Sequence, residues 1–296
     1  MTTNFKLRTI FGGLLIFSAL AVILSTHLFY LWLTSFFLAL VLSYEYHTLL
    51  ELREIHFPSS LLYIQTIFIF GALIFGLSWL VFFCIFFSLL GFWGIVYGVA
   101  LLLNKKKGQI WGRFFATQML WILLPTLLFV CIQQLPHGHA LLLFLMMTIG
   151  LTDIFAYFGG KIWGKKKLMP SISPGKTIEG SLCGLLASLV GGFLFHFFSP
   201  IFSVISIFFL SLFTSVISQV GDLTESYFKR LAKVKDSSQL IPGHGGFLDR
   251  FDGFLLATSF FFGLLVLFYS VSWPEIFHSL LKNYKTQGFF PIDFFR

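Results

Sequence analysis

Apolar residues in this chain come in long blocks, separated by short polar or glycine-bearing breaks. A helix rises about 1.5 Å per residue and needs about 20 apolar residues to cross the hydrocarbon of a bilayer. Blocks of that size fall at 9–25, 28–44, 61–77, 79–103, 114–133, 139–159, 181–198, 201–221 and 253–273, with tight breaks at 25–27, 77–79 and 199–200. The pattern predicts an all-α fold, a polytopic membrane protein with about nine transmembrane helices.

Composition closes the soluble alternative. Hydrophobic residues make up 57% of the 296 positions, charged residues 11%, and mean hydropathy is +0.90. A soluble domain carries roughly 25% charged residues. No fixed-period repeat, linker or shift in composition divides the chain. The expectation is one integral membrane domain over 1–296: N-terminal helices at 1–135, helices and loops carrying the chemistry at 139–273, and a tail at 274–296. Cys84, Cys131 and Cys183 stand singly within apolar runs and make neither a disulfide framework nor a metal-ligand pair. Lys6 and Arg8 before an apolar run resemble the start of a signal peptide. Further spans follow at once, without a clear small-residue cleavage site, so a retained first helix is expected.

Lys and Arg test the topology independently, because they collect in cytoplasmic connections. With nine spans and a cytoplasmic N-terminus, 17 of the 20 basic residues fall inside and none in the short outer turns. Lys282, Lys285 and Arg296 in the tail are the exception.

Acidic residues do not set orientation, so their positions carry separate information. Asp153, Glu179, Asp222, Glu225, Asp236, Asp249 and Asp252 all fall at or near the predicted inner face, where a carboxylate is costly and marks a site or a buried pair. The connection at 221–252 combines acids, bases, His244 and the Gly-rich turn 243–246. Phosphoryl chemistry needs such a mixture: carboxylates for a divalent cation, ammonium and guanidinium groups for phosphate, and glycines that let backbone N–H groups approach anionic oxygen. Asp249 and Asp252, three apart at a helix start, share a face, and Asp222 stands where the preceding span ends. Side-by-side packing of those helices would bring the three together. Two or three carboxylates suffice for Mg²⁺, which keeps water and substrate phosphate in its shell. Asp222 with Glu225 also reads as a helix-start cap, and 223–234 as an interfacial amphipathic helix. Upstream, Ser173-Pro174-Gly175-Lys176-Thr177 lacks Walker A spacing but gathers donors before a helix N-terminus, so it reads as a phosphate-contacting turn. Lys165, Lys166 and Lys167 read most simply as a positive-inside anchor. Glycines at 180–192 fit close helix packing.

The stretch 226–252 resembles the signature of the phosphatidate cytidylyltransferases (CDP-diacylglycerol synthases). The resemblance runs through Ser226, Phe228, Lys229, Arg230, Lys235, Asp236, Ser238, Ile241, Pro242, His244, Gly245, Gly246, Phe247, Asp249, Arg250, Phe251 and Asp252. Asp153, Ala156, Tyr157, Gly160 and the run 173–180 resemble the family upstream, so the specific likeness covers about 150–255. Cys183-Gly184 departs from the two glycines common in the family, a change of packing rather than of chemistry.

The resemblance implies transfer of CTP to phosphatidate, giving CDP-diacylglycerol and diphosphate for phospholipid biosynthesis. It implies a cytoplasm-facing site in a bacterial inner (cell) membrane, no nucleic-acid partner and a homodimer. Asp222 and Asp249 would be the main ligands of Mg²⁺, with Asp252 nearby and room for a second cation. Lys176, Ser226, Lys229, Arg230 and His244 would contact phosphates, and Asp153, Ser173 and Lys235 complete the substrate-binding set. The competing readings are a CTP-dependent transferase acting on another lipid phosphate or a polyprenol, and a non-enzymatic membrane transporter. The transporter reading predicts charge at mid-span rather than at one interface.

Overall fold

The computed structural model describes residues 3–25, 28–55, 59–74, 116–241 and 245–268. Eight helices fall in these ranges: α1 (Thr3–Leu24), α2 (Leu28–Glu51), α3 (Ser59–Ile74), α4 (Ala116–Gln134), α5 (Gly138–Trp163), α6 (Ile178–Phe198), α7 (Val204–Leu231) and α8 (Leu248–Phe268). Six of them, α2 and α4 to α8, are long and apolar enough to cross a membrane. The protein is a polytopic helical membrane protein. The predicted span 79–103 and the tail 274–296 lie outside the described residues. One element was not expected in an all-helical chain: a small antiparallel hairpin, β1 (Lys167–Met169) with β2 (Ser173–Thr177), pairing Lys167 with Thr177 and Met169 with Ser173.

Side-chain size explains how α6 packs. Its buried positions are Gly180, Gly184, Ser188, Gly191 and Gly192, while Leu182, Leu186, Val190, Phe193 and Phe197 face outward. Small residues inside and large apolar ones outside is what lipid solvation permits, since helices there gain by close approach rather than by hiding hydrocarbon from water. A Cβ at Gly180 would lie 2.5 Å from the Ala156 carbonyl oxygen, and one at Gly184 2.5 Å from that of Thr152. The glycines therefore set the α5–α6 separation. Thr152 Oγ1 donates to Ser215 Oγ at 2.9 Å, adding a buried polar tie from α5 to α7.

Two apolar layers hold the bundle. Leu141, Leu142, Phe144 and Leu145 of α5 meet Ile207, Leu210, Phe261 and Leu265 in one. Leu42, Tyr46 and Leu49 of α2 meet Trp121, Ile122, Leu248 and Leu255 in the other, where Phe228 stacks on Trp121 at 5.1 Å. Within α4, Met119–Leu123 forms a π turn that ends two residues before Pro125. Pro125 has no N–H to donate into the turn before it, and the helix widens there.

α7 corrects the sequence-based boundaries most. The expected span ended at 221, with a separate interfacial helix beyond it; instead one helix of 28 residues runs through to Leu231. At about 1.5 Å per residue it is roughly 42 Å long, against about 30 Å of hydrocarbon, so one end projects into the polar zone. Asp222 and Glu225 sit inside this helix, which removes the capping reading. The helix stops at a turn in which Lys233 takes a left-handed conformation (φ 58°) and the Val234 N–H reaches back to the Lys229 carbonyl at 3.0 Å.

Candidate active site

The C-terminal ends of α2, α5 and α7 and the N-terminal ends of α6 and α8 meet at one end of the bundle. Glycine again sets the key separation. A Cβ on Gly221 would lie 2.8 Å from the Asp252 carbonyl oxygen and 3.0 Å from Gly253 Cα, and one on Gly253 would lie 2.9 Å from the Ser218 carbonyl oxygen. α7 and α8 thus touch backbone to backbone, and this crossing carries Asp222 and Asp252. α5 contributes Asp153, and the three carboxylates lie near enough to act on one another electrostatically. Lys176 enters from β2 and its ammonium pairs with Asp222. Lys176 is 27% and Asp222 33% exposed, so this corner opens to solvent.

The second group is closed. Lys229 Nζ sits 2.5 Å from Glu225 Oε2 and 2.6 Å from Asp249 Oδ1, with Glu225 wholly buried. The other oxygen of Asp249 accepts from the Ser237 N–H at 2.9 Å, from Ser237 Oγ at 3.0 Å and from the Gly246 N–H at 2.7 Å. Asp249 therefore spans the connection between α7 and α8. Glu45, wholly buried on α2, grips the same connection. It accepts from Ser237 Oγ at 3.0 Å, Ser238 Oγ at 2.6 Å, the Phe247 N–H at 2.9 Å and the Leu248 N–H at 2.6 Å. Gly245 takes φ +84°, which a side chain resists, and bridges to Ile241. A Cβ on Gly246 would meet Ser237 Oγ at 2.0 Å and both Glu45 oxygens at 2.7 Å.

The remaining expected site residues divide similarly. Ser173 is half-buried at the start of β2, three residues before Lys176. Thr177 caps α6, its hydroxyl accepting from the Gly180 N–H at 3.1 Å. Glu179 accepts from the Lys165 and Lys166 N–H groups, fixing the lysine run against α6. Arg230 donates to the carbonyls of Ile172 and Val234, each at 3.2 Å, tying the hairpin to the end of α7. Ser226 is buried within α7, and Lys235 is exposed on the connection. His244 lies outside the described residues. Asp249 and Asp252 make different contacts: Asp249 joins Lys229 and the loop, while Asp252 lies within electrostatic reach of Asp222 and Asp153, and of Lys229 as well.

Glu45 and the pairing of Glu225 with Lys229 were not anticipated from sequence. The available signal for Glu45 was a carboxylate directly at the end of an apolar block, which is expensive without a partner.

Among the described residues, no three His, Cys, Asp or Glu side chains are placed to hold a metal ion by themselves. The chemistry nevertheless suits a hard cation. Asp153, Asp222, Asp252, Glu225 and Asp249 share this end with only Lys176 and Lys229 among them, an excess of carboxylate oxygen.

A membrane-embedded helical bundle whose polar end gathers acids, lysines and a glycine-bearing loop is the class this fold defines. The model of the cytidylyltransferase family matches residues 6–268, and the chain belongs to that family. It is similar to the phosphatidate cytidylyltransferase of Haemophilus influenzae, 42% identical over 183 residues, covering 56% of this chain and 64% of the relative. The Bacillus subtilis phosphatidate cytidylyltransferase is 44% identical over 133 residues, covering 45% and 49%. That of Brucella abortus is 38% identical over 150 residues, covering 50% and 54%. The matched stretches thus span from about half to just under two thirds of these relatives' own lengths.

Proposed function

We propose that this protein transfers the cytidylyl group of CTP to phosphatidate, forming CDP-diacylglycerol and releasing diphosphate. The observation that carries this reading is the open corner where Lys176 and Asp222 meet Asp252 and Asp153 at one end of an apolar bundle. A lipid phosphate can reach that corner from the bilayer and a nucleotide can reach it from water. A phosphate oxygen of phosphatidate attacks the α-phosphorus of CTP; a P–O bond forms, the α–β anhydride bond breaks, and diphosphate leaves with the electron pair. The attacking group is already an anion, so the chain need supply no nucleophile, only position and charge.

Two polyanions must enter a corner rich in carboxylates, and Lys176 alone does not offset them. Mg²⁺, with a second cation beside it, belongs to the proposal: Asp222 and Asp252 would hold it, with Asp249 contributing if Lys229 is exchanged, and it would neutralise charge on the phosphates. Lys176 offsets charge at the mouth with Asp153 within its electrostatic reach, and Ser173 of the same strand would add a hydroxyl. The half-buried Lys229 acts by keeping Glu225 and Asp249 in place. Arg53, the lysines at 165–167 and those at 229–235 share this end, which supports a cytoplasmic orientation in a bacterial inner membrane. A homodimer is part of the same proposal, and light scattering on the solubilised chain decides it.

The test is an assay of the purified protein with CTP, Mg²⁺ and a panel of lipid phosphates that includes phosphatidate and a polyprenyl phosphate. CDP-diacylglycerol should form fastest. A CDP-lipid formed only with the prenyl substrate would move the acceptor assignment, and no CDP-lipid with any acceptor would end the reading.

A further inference from the structure

We propose that Glu45 is a positioning residue for the nucleotide side of the site, acting across the fold through the loop that links α7 to α8. Glu45 lies about 190 residues from its partners in sequence, on the helix whose Leu42, Tyr46 and Leu49 also pack against the start of α8. Its carboxylate is wholly buried, and no cation contact to it is seen among the described residues. Its oxygens instead face four donors: two serine hydroxyls and the two backbone N–H groups that open α8. Helix N-termini leave such N–H groups unsatisfied and carry partial positive charge, so a carboxylate from a neighbouring helix caps α8 as a side chain of its own sequence otherwise would.

The arrangement is jointly determined. Ser237 Oγ stands 3.0 Å from both Glu45 Oε2 and Asp249 Oδ2, and its single proton serves one at a time. Asp249 in turn holds the Gly246 N–H and Lys229. Gly246 is confined between Ser237 and Glu45, where a Cβ has no room. Displacing Glu45 therefore displaces the loop, Asp249 and the placement of Lys229 together. The exposed cations Lys233, Lys235 and Arg250 lie on the outer side of this connection, at the water end of the bundle. A triphosphate arrives from that side, whereas the lipid arrives between helices.

The inference rests on the cytidylyl-transfer reading, and the test separates the two. Full-length wild type, Glu45→Gln and the milder Ser238→Ala are purified and assayed with CTP and phosphatidate. In parallel, backbone hydrogen exchange is followed for 245–250 and for α5. The amide group of Glu45→Gln keeps one acceptor oxygen and turns N–H against the loop's donors. Glu45→Gln should raise the KM for CTP at least tenfold and leave that for phosphatidate within twofold. Exchange at 245–250 should quicken at least tenfold, with α5 unchanged. Ser238→Ala should move both readouts in the same direction by roughly threefold. A purely structural role would lower the amount of active protein, reducing maximal rate with both KM values intact, and that result overturns the proposal. So does unchanged exchange at 245–250 in both variants. Wild type without turnover on any acceptor refutes cytidylyl transfer, while the exchange arm still decides whether Glu45 holds the loop.

Discussion

Two sets of carboxylates meet at the same end of this bundle and are held in opposite ways. Glu45 and Asp249 have both oxygens committed to hydroxyls, backbone N–H groups or Lys229. Asp222, Asp252 and Asp153 lie within electrostatic reach of one another, with Lys176 paired to Asp222 and Lys229 within reach of Asp252. The first set has exchanged its water for donors that the chain supplies, so its charge is balanced before any substrate arrives. The second set has fewer donors from the chain, so a proton or an added cation can still join it. Asp249 and Asp252 are three residues apart in one motif and belong to different sets, so proximity in sequence does not decide role.

The sharpest way to break the comparison is to remove one member of each set and read activity and stability separately. Asp222→Ala should lower incorporation of labelled CTP into lipid by at least about 100-fold, the scale for deleting one charged group from a preorganised site. Its thermal unfolding should stay near wild type, because removing one of several mutually repelling charges costs the fold little. Asp249→Ala should also abolish activity while the protein still inserts, but with a loss of stability as well. It leaves Lys229 with one partner and strips acceptors from the Ser237 and Gly246 N–H groups; breaking a buried pair in this way costs about 3–5 kcal/mol. An Asp249→Ala protein as stable as wild type would move Asp249 into the open set and strengthen its assignment as a cation ligand.

Gly246→Ala tests the closed set without touching charge. The added methyl meets Ser237 Oγ and the Glu45 carboxylate, and overpacking of this kind costs roughly 1–3 kcal/mol. Activity should fall roughly tenfold and recover in part when Ser237→Gly makes room. Failure of the second substitution to restore any activity would show that the methyl acts elsewhere than on this contact.

Much of the architecture was legible because a bilayer imposes length and apolarity on each span, and eight of the nine expected blocks contain helix in the described residues. Where α7 ends was not legible. Tyr227, Phe228 and Leu231 continue a helical pattern past the hydrocarbon, and whether the chain breaks at Gly221 depends on α8 packing against that glycine, a tertiary fact. Of the hairpin at 167–177, only 173–177 was read as a turn and Lys167 as part of a basic anchor, because the two short strands carry no alternating pattern. At the site, the sequence pointed to individual polar residues more readily than to their partners. Lys229 looks like a phosphate contact in a list of cations; only the fold encloses it between Glu225 and Asp249. Glu45 escaped because the residues it holds are nearly two hundred positions away.

The smallest effect is expected at the link between the two sets. Arg230 joins the hairpin that carries Lys176 to the end of the helix that carries Lys229, through one bond to the Ile172 carbonyl and one to that of Val234. The guanidinium is exposed, so each bond competes with water and is worth about 0.5–1.5 kcal/mol at most. Arg230→Lys keeps the charge but cannot reach both carbonyls in one plane. It should therefore slow turnover by roughly two- to fivefold, with unfolding unchanged. The readout that matters is where the loss falls. If the hairpin is only an anchor, the KM for both substrates stays constant. If Arg230 holds Lys176 in register with Asp222, the KM for the substrate whose charge Lys176 offsets should rise, and Lys176→Gln should no longer add to it in the double variant. Additive losses would mean that the open and closed sets work independently, despite the residue that bridges them.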